Sequence, residues 1–175
     1  MMSMSSSVRS AALAILFVLA ACAPKPKPAE APPEAPPQAP MTQSQIQTTV
    51  VPGSVQDFRV NVGDTVHFEY DKYDVKDADR DILQRQAAWL QRYPQVRVTV
   101  EGHCDERGTR EYNLALGARR ANAVKEYLVS VGVSSSRVDT ISYGKERPMC
   151  TESNESCWSQ NRRGVTTITS GAATS

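Results

Sequence analysis

The chain has 175 residues, of which 20 are lysine or arginine and 19 are aspartate or glutamate, so its formal charge is +1. This balance excludes the clustered basic excess on which nucleic-acid binding depends, and no nucleic-acid partner is expected. Hydrophobic residues make up 40% of the chain and charged residues 22%, which excludes disorder over the whole length. We therefore expect one folded domain of about 120 residues, preceded by segments with another purpose.

Residues 1–21 are predicted to form a signal peptide. Ala11 to Ala21 is an unbroken apolar run, equivalent to about 16 Å of helix, which is half of the hydrocarbon thickness of a bilayer. A run this short fits the apolar region of a signal peptide rather than a spanning helix. Leu19-Ala20-Ala21-Cys22 resembles the lipobox of bacterial lipoproteins, which implies that Cys22 is acylated and becomes the first residue of the mature chain. The alternative is an ordinary signal peptide in which Cys22 has no special role.

Residues 22–53 are predicted to be a lipidated tether. Nine of the eleven prolines lie within residues 23–52, interleaved with alanine, lysine, glutamate and glutamine. Such a stretch favours an extended polyproline path that reaches at most about 90 Å. An acylated Cys22 would attach it to a bilayer without crossing the bilayer. Ala23 favours the outer membrane, because an aspartate at this position would resemble an inner-membrane retention signal.

Residues 54–175 have the composition and periodicity of a folded domain. Val60-Asn61-Val62 is predicted to be a short edge strand, and the alternating segment Thr65 to Tyr70 a strand that ends at Asp71. Asp77 to Tyr93 carries an apolar stripe at helical spacing and acidic residues in its first turns, and Pro94 stops it. This segment predicts a helix.

The second half of the domain repeats the alternation of strand and helix. Val96 to Val100 predicts a strand, and Thr109 to Val131 predicts a long helix that ends at Gly132. Val138 to Tyr143 and Val165 to Thr169 predict two further strands. Connections of helical length between strands predict an α/β or α+β fold, with helices packed on one mixed sheet.

Arg120 falls on or beside the core-facing stripe of the helix predicted over residues 109–131. A guanidinium stays charged when buried, and its desolvation is costly, so it needs a partner there. Two structural alternatives stay open, an arginine that reaches solvent and one that pairs with a carboxylate of the protein itself. The neighbouring Arg119 is predicted to be a solvated surface charge.

The loop from Gly102 to Gly108 joins the end of a strand to the N-terminus of this helix, where amides and dipole favour a bound anion. If the first two main strands run in parallel, the residues after Tyr70 open at the same edge, where ligands of open α/β sheets tend to bind. Asp71, Asp105 and Arg120 would then surround one small pocket. Such a pocket suits a ligand that carries both an ammonium and a carboxylate group.

Six segments, spread in order over residues 60–170, resemble the OmpA-like peptidoglycan-binding domain. They are Phe68–Asp74, Glu101–Thr109, Glu111–Gly117, Arg119–Val124, Ser142–Glu146 and Asn161–Arg163. The resemblance implies an α+β domain with a β-α-β-α-β-β core, in which helices pack on a mixed four-stranded sheet. The lipobox and the proline-rich tether fit the lipoproteins of the same family.

The resemblance also implies a noncatalytic site for meso-diaminopimelate, a component of the peptidoglycan stem peptide. Arg120 would hold a carboxylate, and Asp105 would meet the ammonium or help to organise the pocket. Tyr70 and Asp71 would line the pocket from the loop after the first strand. The other implied residues are Glu106, Arg107, Gly108, Asn113 and, as a weaker candidate that braces the site, Arg162.

At the level of the cell, the resemblance implies an outer-membrane lipoprotein whose domain faces the periplasm and binds peptidoglycan noncovalently. It would link the outer membrane to the cell wall within the Tol-Pal system, supporting envelope integrity and membrane constriction during division. The implied protein partners are TolB, which would compete with peptidoglycan, and other Tol proteins. The alternative is a lipoprotein that serves mainly as a periplasmic protein-docking module, for which stem peptides would not compete.

The cysteines depart from the family pattern. Cys104 stands where the family more often has alanine or threonine, and it is predicted to be a small buried side chain. Cys150 and Cys157 lie in the loop before the last strand, and in an oxidising periplasm they would form a disulfide. A metal site is the less favoured alternative, because six residues separate the two cysteines and no histidine is near.

An enzymatic alternative rests on His103-Cys104-Asp105, which combines nucleophile, base and carboxylate types. Consecutive residues of a strand point in alternating directions, so these three are poorly placed to form a proton relay. A zinc site that used His103 and Cys104 would lack further ligands at a usual spacing. We therefore predict a binding module without catalysis, cofactor or metal.

Overall fold

The computed structural model describes residues 50–174. The predicted signal peptide, Cys22 and residues 23–49 of the predicted tether lie outside the described residues. The strands are β1 (Thr65–His67), β2 (Arg97–His103), β3 (Val138–Gly144) and β4 (Arg163–Ser170). The helices are α1 (Val55–Asp57), which continues into a π-helical turn (Phe58–Val62), α2 (Asp77–Arg92), α3 (Arg110–Ser130) and α4 (Glu155–Asn161), and a 3-10 turn (Ser135–Arg137) precedes β3.

The four strands form one mixed sheet in the order β1-β4-β2-β3, so the predicted α+β class and its β-α-β-α-β-β core are confirmed, with the short helix α4 added between β3 and β4. Strands β2 and β3 are parallel neighbours, and β4 is antiparallel to both β1 and β2. Strands β1 and β2 therefore run in the same direction on either side of β4. Their carboxyl ends therefore lie at the same end of the sheet. The sequence-based prediction of a common site required this arrangement.

Helices α2 and α3 cover one face of this sheet, as the right-handed crossovers between β1, β2 and β3 require. The core between the layers is mainly aliphatic, and its fully buried side chains include Leu83, Leu90, Val98, Val100, Val124 and Leu128. Gly102 sets how closely α3 approaches β2, because a Cβ atom at this position would lie 1.8 Å from the carbonyl oxygen of Gly117. This close approach brings the first half of α3 to the end of β2.

Two predicted strands need correction. Val60–Val62 is helical and not an edge strand, because Ser54 caps the turn by accepting a hydrogen bond from the Asp57 amide, and the Trp89 side chain binds the Asp57 carboxylate. Strand β1 ends at His67 and not at Asp71, because its neighbour β4 begins only at Arg163.

The other elements lie within a few residues of their predicted bounds, but α4 was not predicted. The seven residues of α4 lie between the third and fourth strands, where the sequence indicated a loop. An isolated bridge between Ser54 and Ala173 ties the start of the domain to its end. Among the helices of residues 50–174, none combines the length and apolar character that a membrane crossing requires.

Candidate functional site

A cavity of about 140 Å³ lies at the edge where β1 and β2 end. Its walls come from the loops after these two strands and from the first turns of α3. The lining residues are Tyr70, Asp71, Cys104, Asp105, Arg107, Gly108, Tyr112, Asn113, Leu116 and Arg120. Seven of the nine residues predicted for the site therefore line one cavity, and the two that do not are Glu106 and Arg162.

Arg120 is fully buried and reaches into this cavity from α3. Its guanidinium donates to the backbone carbonyl oxygens of Lys72 (2.8 Å), His103 (2.8 Å) and Glu69 (3.1 Å). Within residues 50–174, no carboxylate lies within 4.0 Å of it. Burial lowers the pKa of Arg120. Among the described residues, Arg120 thus follows neither structural alternative, because it does not reach solvent and makes no ion pair within 4.0 Å. The charge of Asp105 favours its ionised form, but that carboxylate is already bound to Arg107 and Arg162.

Asp105 is also buried, but its carboxylate already has partners. The Arg107 guanidinium donates to both carboxylate oxygens, at 3.2 Å from Nε and 2.6 Å from Nη2, and the Arg107 amide adds a third bond. Arg162 donates from Nη1 at 3.3 Å. Burial alone would raise the pKa of Asp105, but these hydrogen bonds outweigh it and lower the pKa. Of its two predicted roles, this geometry favours organisation of the pocket.

Arg162 does not line the cavity but contacts one of its lining residues, Asp105. Its guanidinium joins the carbonyl oxygen of Phe68, the carboxylate of Asp105 and the carboxylate of Glu155 on α4. These contacts tie the ends of β1 and β2 to α4. The bracing role that the family resemblance implies for Arg162 stays a prediction.

The Arg107 side chain lies between two aromatic rings. Its guanidinium carbon is 4.1 Å from the ring centroid of Tyr70 and 4.1 Å from that of Trp158 on α4. The Trp158 indole N–H also donates to the exposed carboxylate of Glu106 at 2.9 Å, which gives Glu106 a place outside the cavity. Sequence reasoning missed Trp158, although it is one of only two tryptophans and lies three residues before the Asn161-Arg162-Arg163 segment.

Two polar contacts hold the mouth of the cavity. The Tyr112 hydroxyl donates to the carboxylate of Asp71, which has a left-handed backbone at φ 56°. In the first turn of α3, the side-chain amide nitrogen of Asn113 donates to the carbonyl oxygens of Arg107 (2.8 Å) and Thr109 (3.0 Å). Asp71 and Tyr112 thus join the first-strand loop to α3 across the opening.

The pattern of the OmpA family matches residues 67–162, which is more than half of the chain and includes every element that borders the cavity. The chain belongs to the OmpA family. Two curated relatives are both named peptidoglycan-associated lipoprotein. The one from Mesorhizobium japonicum is 50% identical over 161 residues, which covers 92% of this chain and 90% of the relative. The one from Agrobacterium fabrum is 58% identical over 120 residues, covering 69% of this chain and 68% of the relative.

Solved structures show the same OmpA-family fold. The peptidoglycan-associated lipoprotein from Burkholderia pseudomallei superposes with a TM-score of 0.60 at 40% identity, over 61% of this chain and 90% of that one. The C-terminal domain of Helicobacter pylori MotB superposes with a TM-score of 0.57 over 61% of this chain and 84% of that one. At 23% identity, the second likeness concerns the fold alone.

The OmpA-family domain does not arrange His103 and Cys104 for a thiol reaction. Cys104 lines the cavity and donates to the carbonyl oxygen of Asn113, and burial raises the pKa of its thiol to about 11, which keeps it neutral. The His103 side chain is buried away from the cavity, and burial lowers its pKa to about 4, with Arg163 and Arg147 adding to this shift. Within the described part of the chain, no group of three metal-ligating side chains converges.

The structure joins Cys150 to Cys157 by a disulfide, with Cα atoms 5.1 Å apart. Cys157 is buried on α4, one residue before Trp158. The disulfide thus closes the loop immediately before Trp158, whose ring lies against Arg107.

Proposed function

We propose that the chain is a noncatalytic lipoprotein that binds peptidoglycan through the cavity at the ends of β1 and β2. The supporting observation is the buried guanidinium of Arg120, which has hydrogen bonds to carbonyl oxygens but, among residues 50–174, no carboxylate within 4.0 Å. A buried charge without a counter-charge is costly, so a ligand carboxylate that entered the cavity would gain a charge-assisted contact. The names of the two curated relatives agree with this ligand class.

The proposed ligand group is meso-diaminopimelate, whose side chain ends in an ammonium and a carboxylate. The cavity of about 140 Å³ is large enough for the end of one side chain and too small for a peptide. The carboxylate would bind Arg120, and the ammonium would lie nearer the mouth, beside the exposed Asp71. Asp105 would act through Arg107 and Arg162, which its carboxylate holds in place.

The proposed cellular role follows from the predicted lipid anchor. With Cys22 acylated in the outer membrane and the domain on the cell wall, the protein would link the two layers within the Tol-Pal system. TolB and other Tol proteins are the proposed protein partners. Noncovalent binding would let the outer membrane follow the wall during constriction in cell division and would support envelope integrity.

The test is co-sedimentation of the full-length chain, in detergent, with sacculi that contain diaminopimelate. Arg120→Ala and Asp105→Ala should each weaken binding by about 2–5 kcal/mol, because each removes one member of a buried charged group. Arg92→Ala, on an exposed turn of α2, is the matched control and should bind normally. Circular dichroism checks that each variant is folded, which matters for Arg120 because three carbonyl oxygens lose their donor.

Free meso-diaminopimelate provides a test that needs no variant, because it should displace the wild-type chain from sacculi. Normal binding by the folded Arg120 and Asp105 variants would show that the pocket is assigned wrongly. A wild-type chain that does not bind sacculi would favour the protein-docking alternative.

A further inference from the structure

A second and larger cavity, an open groove of about 610 Å³, follows the binding pocket along α3. Leu116 and Arg120 line the pocket, and Arg119, Ala123 and Glu126 line the groove. These positions are three or four residues apart, so they form one stripe of the helix surface. The groove therefore lies next to the pocket, in the direction of the C-terminus of α3.

The loop between β1 and α2 separates the two cavities and contributes to both. Asp71 lines the pocket, whereas Tyr73, two residues later, lines the groove and is 44% exposed. Between them, the carbonyl oxygen of Lys72 accepts a hydrogen bond from Arg120. The groove is thus a neighbour of the pocket across this loop, although the two cavities share no lining residue.

The groove has the chemistry of a site for an uncharged polar ligand. Two cationic side chains, Arg80 and Arg119, are balanced by two carboxylates, Asp74 and Glu126. This balance disfavours a strongly charged occupant but supplies donors and acceptors for hydroxyl and amide groups. Tyr73 adds an apolar ring face with a polar tip. The volume lies within the range of small-molecule sites.

We infer that this groove binds the N-acetylated amino sugars of the glycan strand whose stem peptide occupies the pocket, an inference that rests on the proposed function. Arg120 and Glu126 are six residues apart on α3, which corresponds to about 9 Å along the helix axis. In the stem peptide, two residues separate diaminopimelate from the muramic acid sugar, and they span about 7 Å when extended. The sugar-proximal part of the ligand therefore has the length to reach the groove.

The other end of the stem peptide fits the groove less well. Beyond diaminopimelate it carries only D-alanine, which is too small to fill about 610 Å³ and ends in a carboxylate. A pair of uncharged sugars matches both the volume and the charge balance. Peptidoglycan would then be held at two neighbouring points, through a charged group in the pocket and through its glycan in the groove.

The experiment compares two probes by isothermal titration calorimetry with the full-length chain. The first is the tripeptide L-alanyl-γ-D-glutamyl-meso-diaminopimelate, and the second is the same tripeptide attached to N-acetylmuramic acid and N-acetylglucosamine. The second probe should bind about tenfold more tightly. Tyr73→Ala and Glu126→Ala should remove this gain and leave the affinity for the tripeptide unchanged. Lys125→Ala, on α3 but outside the groove, should retain the gain.

The outcomes separate this inference from the proposed function. Equal affinity of the wild-type chain for both probes would overturn the glycan groove and leave the pocket intact. Full retention of the gain by both groove variants would also overturn the glycan groove. If neither probe binds the wild-type chain, the proposed function fails and the inference fails with it.

Discussion

The stack of Arg107 between Tyr70 and Trp158 should contribute measurably to stability. In Trp158→Ala, the chain loses one cation–π contact at 4.1 Å and the hydrogen bond from the indole N–H to Glu106. The Arg107 side chain is 30% exposed, so the first loss should be about 1 kcal/mol. The hydrogen bond ends on a fully exposed carboxylate and should add little, because water replaces it. We expect the free energy of unfolding to fall by about 1 kcal/mol.

A double-mutant cycle isolates the contact between Arg107 and Trp158 from the other interactions of each residue. Arg107→Ala alone also removes the bonds to Asp105, but this loss is common to both sides of the cycle. Urea unfolding of the wild-type chain, the two single variants and the double variant should give a coupling energy of about 1 kcal/mol.

Trp158→Phe is the matched control, because it keeps an aromatic face beside Arg107 and loses only the N–H donor. It should therefore retain most of the coupling to Arg107. If the two single losses simply add in the double variant, the stack contributes nothing and the reasoning is refuted. The same holds if Trp158→Phe is as unstable as Trp158→Ala.

Two further predictions concern the disulfide and a buried histidine. Replacing both Cys150 and Cys157 by alanine opens an eight-residue loop and should lower the free energy of unfolding by about 2.5 kcal/mol in oxidising buffer, and reduced wild-type chain should behave like the variant. The pKa of His103 is lowered to about 4, so the unfolded chain binds a proton between pH 6.5 and pH 4 that the folded chain does not. Stability present above pH 6.5 is therefore lost as the pH falls, by about 2 kcal/mol between pH 7 and pH 5. In urea unfolding at both pH values, His103→Gln should flatten this dependence, and an equally steep slope would assign it to another group.

Sequence patterns predicted the two long helices well, because each helix buries one face and therefore carries a regular apolar stripe. The apolar stripes of Asp77–Arg92 and Arg110–Ser130 repeat over several turns, and both helices begin and end within two residues of the predicted bounds. Helix α4 has only seven residues, and its buried Cys157 is held by a disulfide, so no periodic pattern marks it. The turn over Val60–Val62 was mistaken for a strand because its residues alternate, while the contacts that make it helical come from Ser54 and Trp89.

The residues that line the pocket were predictable from the sequence, but the ion pairs among them were not. Arg120 stood out because a charge on a core-facing stripe needs an explanation, and the parallel direction of β1 and β2 brought Asp71 and Asp105 to it. The partner of Asp105 could not be predicted in the same way. Arg162 is 57 residues away along the chain, and its contact with Asp105 depends on where α4 ends. Contacts at such separations leave no periodic signal in the sequence.

The bridge between Ser54 and Ala173 has a mechanical consequence. It places the start of the domain at the edge of the sheet where β2 begins, because the end of β4 pairs there with Arg97. The pocket lies at the opposite edge, where β2 ends, about 20 Å away along seven residues of strand. If the N-terminus is anchored and the pocket binds the wall as proposed, a pull between them acts along the strands. Their hydrogen bonds, which run across the sheet, would be loaded together in shear and would not open one after another. Such a domain should unfold slowly under tension.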